Sequence, residues 1–261
     1  MRHSRLATLA VLAAALWPVW RWYASRARDP GEGWELLSLA TAAIFVSLRA
    51  PPAPARTVDL RLPALLLLAY AATYSFVPPL LRAGIAFSAL AAASSTLAFG
   101  RRLHVPLAGL ILLALPVIAS LNFYVGYPLR VTVGALTAAL LQMNGFAVVQ
   151  DAALLVWGGQ SISIDAPCSG VNMLWAGLYL AFALAAFHEL SAVRTALLAL
   201  LATCAVLAAN VLRAAALFYV EAAVVRLPGD WHAAIGLTVF VLAALVLAGT
   251  ARSMNVPKHA A

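Results

Sequence analysis

Eight apolar stretches, at 6–19, 36–48, 62–77, 80–98, 105–123, 171–187, 195–225 and 233–251, divide this chain, and arginines, prolines or tryptophans mark their ends. Backbone placed in hydrocarbon finds no water to bond. Each stretch must therefore satisfy its own N–H and C=O groups, which a helix does. Composition agrees: 10% of the 261 residues are charged and 64% are hydrophobic. A soluble domain carries roughly 25% charged residues. The polar surface is too small to cover a soluble globule. The chain reads as an all-α polytopic transmembrane helical bundle of about eight spans, one integral membrane domain over residues 1–261. A further apolar stretch at 130–149 is broken by Gln142, Asn144 and Gly145. It reads as an amphipathic or re-entrant helix at the interface, with a full span as the alternative.

The amino-terminal segment, basic from Met1 to Arg5 and then apolar, has the pattern of a cleaved signal peptide. Trp17, Pro18, Trp20 and Trp22 point instead to a retained helix ending in an interfacial aromatic belt. Polar or Pro-rich connectors follow at 26–35, which contains Asp29-Pro30-Gly31, and at 50–54.

Charge placement orients the bundle. With eight spans and both termini cytoplasmic, the inside holds Arg2, Arg5, Arg49, Arg56, Arg61, Arg101, Arg102, Arg194, Arg252 and Lys258 against Asp59 and Glu189. The remaining seven arginines face the remaining seven acids outside. The whole net charge of +8 then lies on the cytoplasmic side, as the positive-inside rule expects. The expected location is the cytoplasmic (inner) membrane, in contact with its lipids. No basic cluster with interleaved aromatics points to nucleic acid. Two cysteines make no disulfide framework. The absence of C-x-x-C and H-E-x-x-H gives a metal site no support.

One polar interruption stands out. Trp157-Gly158-Gly159-Gln160-Ser161-Ile162-Ser163 is too polar and Gly-rich for lipid, and Asp165-Ala166-Pro167-Cys168-Ser169-Gly170 leads from it into the stretch at 171–187. Cys168 thus stands at a water–membrane boundary where a helix begins, a position that favours the thiolate. The plain alternative is a small apolar Cys in a turn. The other cysteine, Cys204, falls mid-helix and reads as packing.

Two more polar residues share that depth. Arg213 lies nineteen residues after Arg194, about 28 Å along a helix, which carries it across the hydrocarbon to the outer interface. It faces a cavity or partner there, or snorkels to the headgroups. Asn210, Arg213, Leu217 and Glu221 share one helical face. Asn210 and Glu221 could help hold the guanidinium, or Glu221 could be a solvated helix end. His232 opens the last apolar stretch on the same side, as a polar anchor or as a base. Cys168, Arg213 and His232 together supply what a Cys–His nucleophilic site needs: a thiol, a base for its proton and a cation for the developing oxyanion.

Pro167-Cys168-Ser169-Gly170, Asn210-Val211-Leu212-Arg213 and Trp231-His232-Ala233-Ala234-Ile235-Gly236, in this order, resemble the three signature segments of the exosortase/archaeosortase family. The resemblance covers about residues 165–245. Many members continue Cys-Ser-Gly with an apolar and then a basic residue; here Val171-Asn172 follows.

The resemblance implies a membrane cysteine transpeptidase without cofactors. It also implies exported substrates whose C-terminal sorting signal joins a short motif of the Pro-Glu-Pro (PEP-CTERM-like) type to a transmembrane helix and a basic tail. Cys168 would be the nucleophile and His232 the base and acid. Arg213 would stabilise the oxyanion, by analogy with the arginine of soluble sortases, whose fold is unrelated. Asn210, Asp165 and Glu221 are supporting candidates. Hydrolysis could replace transpeptidation. Outside enzymes, a transporter or an assembly factor for exported polymers remains the alternative. Such proteins place polar groups near the bilayer midplane, whereas these cluster at the outer interface.

Overall fold

The computed structural model describes residues 2–28, 33–49, 59–164, 170–225 and 231–255. The loop at 29–31, the connector at 50–54, and Asp165 and Cys168 lie outside these residues.

Helices occupy all eight apolar stretches. They are α1 (Arg2–Ala15) with α2 (Trp17–Arg26), α3 (Glu35–Leu48), α4 (Arg61–Thr73), α5 (Pro79–Phe99), α6 (Val105–Leu113) with α7 (Ile118–Tyr124), α9 (Val171–Phe187), α10 (Ala192–Glu221) and α11 (His232–Met254). Among the described residues, α5, α10 and α11 are long and apolar enough to cross a membrane, and each bent pair makes a further candidate, giving up to five. The protein is an all-α membrane protein with one small sheet.

The bends have covalent causes. Pro18 stands at the start of α2, lacks an N–H and crowds the preceding turn, so α1 and α2 meet at 69°. Pro116 lies in the break between α6 and α7.

The chain divides into two compact units, Met1–Val117 with Phe182–Thr195, and Ile118–Ala181 with Ala196–Ala261. In the first, α5 packs against α1, α2, α4 and α6. Its buried face is rich in alanine: Ala83, Ala86, Ala89 and Ala92 are fully buried. Small side chains let helix backbones approach closely where no water drives association.

The second unit departs from the sequence reading in two places. The stretch at 130–149 is not one helix. The helix α8 (Gly126–Met143) ends where Asn144 caps it. Residues 157–163, read as a polar interruption, belong to a three-stranded antiparallel sheet: β1 (Val149–Asp151), β2 (Leu154–Trp157) and β3 (Gln160–Ser163). Gly158 and Gly159, with φ of +57° and +78°, join β2 to β3, the tight turn that needs two left-handed residues.

The sheet stands because one face is covered. Leu155, Ile162 and Ile164 pack with Leu141 of α8 and with Leu217 and Phe218 of α10. Trp157, Phe146 and Phe218 meet edge to face at 5.6–5.7 Å. Gln150 Nε2 donates to the carbonyls of Val131 and Ala152 at 2.9 and 2.7 Å, tying β1 to α8.

Candidate functional site

α10 is the spine of the candidate site. Asn210, Arg213, Leu217 and Glu221 recur along it every three or four residues. Asn210, 2% exposed, lies against Gly170. A Cβ on Gly170 would stand 2.9 Å from Asn210 Nδ2 and 3.4 Å from Leu129 Cδ2 of α8. Gly170 also has a φ of +79°. The close approach and the left-handed backbone both call for glycine. Its carbonyl accepts from the Leu174 N–H at 2.7 Å, which opens α9.

Arg213 lies against α11. A Cβ on Gly236 would stand 3.2 Å from Arg213 Nε and 3.4 Å from Cζ, so the missing side chain makes room for the guanidinium. Gly236 and His232 are four residues apart on one face of α11, about 6 Å along its axis.

The end of α10 meets the start of α11 directly. His232 Nε2 donates to Glu221 Oε1 at 3.0 Å. With that nitrogen as donor, the basic nitrogen of the neutral imidazole is Nδ1. Half of the His232 side chain remains accessible. Beside the pair, a cavity of about 20 Å³ is lined by Ser163, Ile164, Leu217, Glu221 and His232, among others. It holds at most about one water.

The structure thus gathers four of the residues singled out from sequence: Asn210, Arg213, Glu221 and His232. Glu221 pairs with His232. Gly170 and Gly236 are the contacts that sequence reading passed over. Their signal was a glycine just after the Cys-Ser pair and another within a helix. Cys204 lies in α10 as expected, but on its exposed side. The packing role read for it is corrected, because helical position alone does not say which face a neighbour covers.

Across residues 6–249, the chain matches the family model described as transmembrane exosortase. This chain belongs to the transmembrane exosortase family. No curated protein and no solved structure matches it. The match reaches well beyond the segments near 165–245 and takes in residues of both units of the exosortase.

The exosortase holds a second set of the same residue types in its first unit. Arg49 forms a two-pronged ion pair with Glu189, the longer arm being 3.3 Å. The Arg102 Nε donates to Asp59 at 3.0 Å. His104, 3% exposed, stacks on Phe99 at 4.0 Å and caps α6, its Nδ1 accepting from the Leu107 N–H at 3.3 Å. Burial, and then the guanidiniums of Arg101 and Arg49, push His104 down to about 4, against the pull of Glu189. It is a neutral, structural histidine.

Proposed function

We propose that this exosortase is a membrane-embedded cysteine transpeptidase or protease that processes the C-terminal sorting signal of exported proteins at the outer face of the cytoplasmic membrane. One observation carries the reading: α10 sets the Arg213 guanidinium and the Glu221–His232 pair along one face against α11, while Asn210 of the same face lies against Gly170, two residues after Cys168 in sequence. The placement of net positive charge on the cytoplasmic side supports the outward orientation.

The steps follow from these groups. His232 takes the thiol proton of Cys168, and the sulfur attacks the peptide carbonyl carbon. The carbonyl oxygen becomes an oxyanion, which the Arg213 guanidinium stabilises. Glu221 holds the imidazole in orientation and balances its charge while it carries the proton, the part a carboxylate plays behind a catalytic histidine. His232 then gives the proton to the leaving amine as the C–N bond breaks, leaving a thioester on Cys168. An acceptor amine attacks the thioester and restores the thiol; with water in its place the product is a free acid. Asn210 positions Gly170, and with it the start of α9.

Cys168→Ala tests the reading. The variant should reach the membrane in normal amount and leave its substrate unprocessed. Iodoacetamide should label Cys168 faster than Cys204, as an activated thiol is largely thiolate. Continued processing by Cys168→Ala would end the cysteine mechanism.

A further inference from the structure

Among the described residues, nothing pairs with the outer edge of β3. Trp157 pairs with Gln160, Val156 with Ser161, Leu155 with Ile162 and Leu154 with Ser163. In an antiparallel pair, facing residues alternate between exchanging both backbone bonds and exchanging none. The two-residue turn makes Trp157 and Gln160 a bonded pair, and the Ile164 N–H donates to the Ala153 carbonyl at 2.9 Å. Ile162 therefore bonds inward to β2, while Ser161 and Ser163 turn their N–H and C=O groups outward. β3 is the last strand of the sheet, and Gln160, Ser161 and Ser163 are exposed.

We propose that this edge is where the substrate's sorting segment docks, added as an extended, antiparallel fourth strand against Ser161 and Ser163. The inference rests on the peptide-processing reading above and names how that site takes its substrate. Three observations favour this occupant. The edge adjoins the proposed chemistry, because Ser163 and Ile164 line the same small cavity as Glu221 and His232. That cavity has room for about one water, so a peptide must lie outside it. Ser163 precedes Cys168 by five residues, a reach of at most about 17 Å.

A Pro-Glu-Pro motif suits such an edge. Backbone bonding directions alternate along a strand with period two. Both prolines, which have no N–H to donate, then face away from β3. The glutamate between them, and the residues two before and two after it, face the edge with intact N–H and C=O groups. The residue before a proline is biased toward extended backbone, so part of the ordering is already present. Antiparallel pairing lets one substrate residue exchange two bonds with Ser161 and another exchange two with Ser163. This is strand addition at a sheet edge, with affinity from main-chain bonds.

The test uses full-length protein in liposomes and a synthetic probe peptide: Pro-Glu-Pro followed by a transmembrane segment and a basic tail. Single cysteines are scanned through the motif against Ser161→Cys and Ser163→Cys, in a background carrying Cys168→Ala and Cys204→Ala. Cross-links should form at the glutamate position and two residues to either side, and not at the proline positions. Absent or non-alternating cross-links would overturn the inference.

In an otherwise intact enzyme, Ser161→Pro and Ser163→Pro remove an outward N–H and spare the bonds to β2. Each should lower probe cleavage about tenfold. Ser163→Thr, which keeps its N–H, should recover most of it. Cleavage at the parent rate in both proline variants would also overturn the inference. A proline variant that loses iodoacetamide labelling of Cys168 together with cleavage has lost its fold, and the cross-linking pattern then decides. The wider reading fails separately, if Cys168→Ala cleaves the probe.

Discussion

In the first unit, Arg49 closes on Glu189 while His104 is buried against Phe99 with one nitrogen spent on a helix cap. In the second, the carboxylate of Glu221 goes to His232, the guanidinium of Arg213 lies along the glycine face of α11, and the imidazole stays half accessible. Arginine, glutamate and histidine are present both times. What differs is who holds whom. A carboxylate on the arginine and a cap on the histidine give a brace. A carboxylate on an accessible histidine, with an arginine guanidinium along the same helix face, is the set that the proposed mechanism uses.

The largest break in this comparison should come from the histidines. His232→Ala should lower substrate processing by about 10²–10⁴-fold, the usual worth of a general acid–base group. His104→Ala should change the amount of folded protein while processing per folded molecule stays within a few-fold. Processing assays normalised to membrane-inserted protein separate the two, and equal losses would erase the distinction.

The arginines come next. Arg213→Lys retains the charge but not the planar fork, and loss of one oxyanion contact costs about 10²–10³-fold in rate. A parent-like Arg213→Lys would mark that residue as a headgroup anchor. Arg49→Lys should process normally, since an exposed ion pair contributes only about 0–1 kcal/mol.

Smaller again is the effect of the carboxylates. Glu221→Gln keeps an acceptor for His232 Nε2 but removes the charge behind the imidazole. A buried triad carboxylate is worth roughly 10⁴-fold; Glu221 is partly solvated, so about tenfold is expected. Glu189→Gln should leave turnover alone. A Glu221→Gln enzyme with full activity would remove the carboxylate from the mechanism while leaving Cys168, His232 and Arg213 in it.

The mildest prediction concerns pH. His104 is held at about 4 in the fold, below its ordinary 6.5, so between those values the unfolded chain binds the extra proton. Its contribution to stability is complete above about 6.5 and is lost as pH falls toward 4, because the unfolded chain gains a proton that the buried imidazole, beside Arg101 and Arg49, resists. Hydrogen bonding to their arginine neighbours holds Glu189 and Asp59 below the usual carboxylate range. Their contributions are present above that range and lost at still lower pH. Thermal unfolding in detergent should show the upper loss in the parent and not in His104→Phe.

Sequence alone determined that the eight long apolar stretches are helical, because hydrocarbon leaves a backbone no other general solution. It also set Asn210, Arg213, Leu217 and Glu221 on one face of one helix, since that follows from a period of 3.6 residues. The bends at Pro18 and Pro116 were not read from the sequence, because the apolar pattern runs on through both prolines.

Tertiary structure decided the rest. Residues 154–157 are a short apolar run and 160–163 a polar one, so neither carries a clear strand pattern. They became a sheet because α8 and α10 cover one side of it. Glu221 had two open readings on α10, and the neighbouring α11 supplied a third. Cys204 looked interior by position and faces outward by packing. Local periodicity fixes which residues share a face; only the neighbouring elements determine what that face meets.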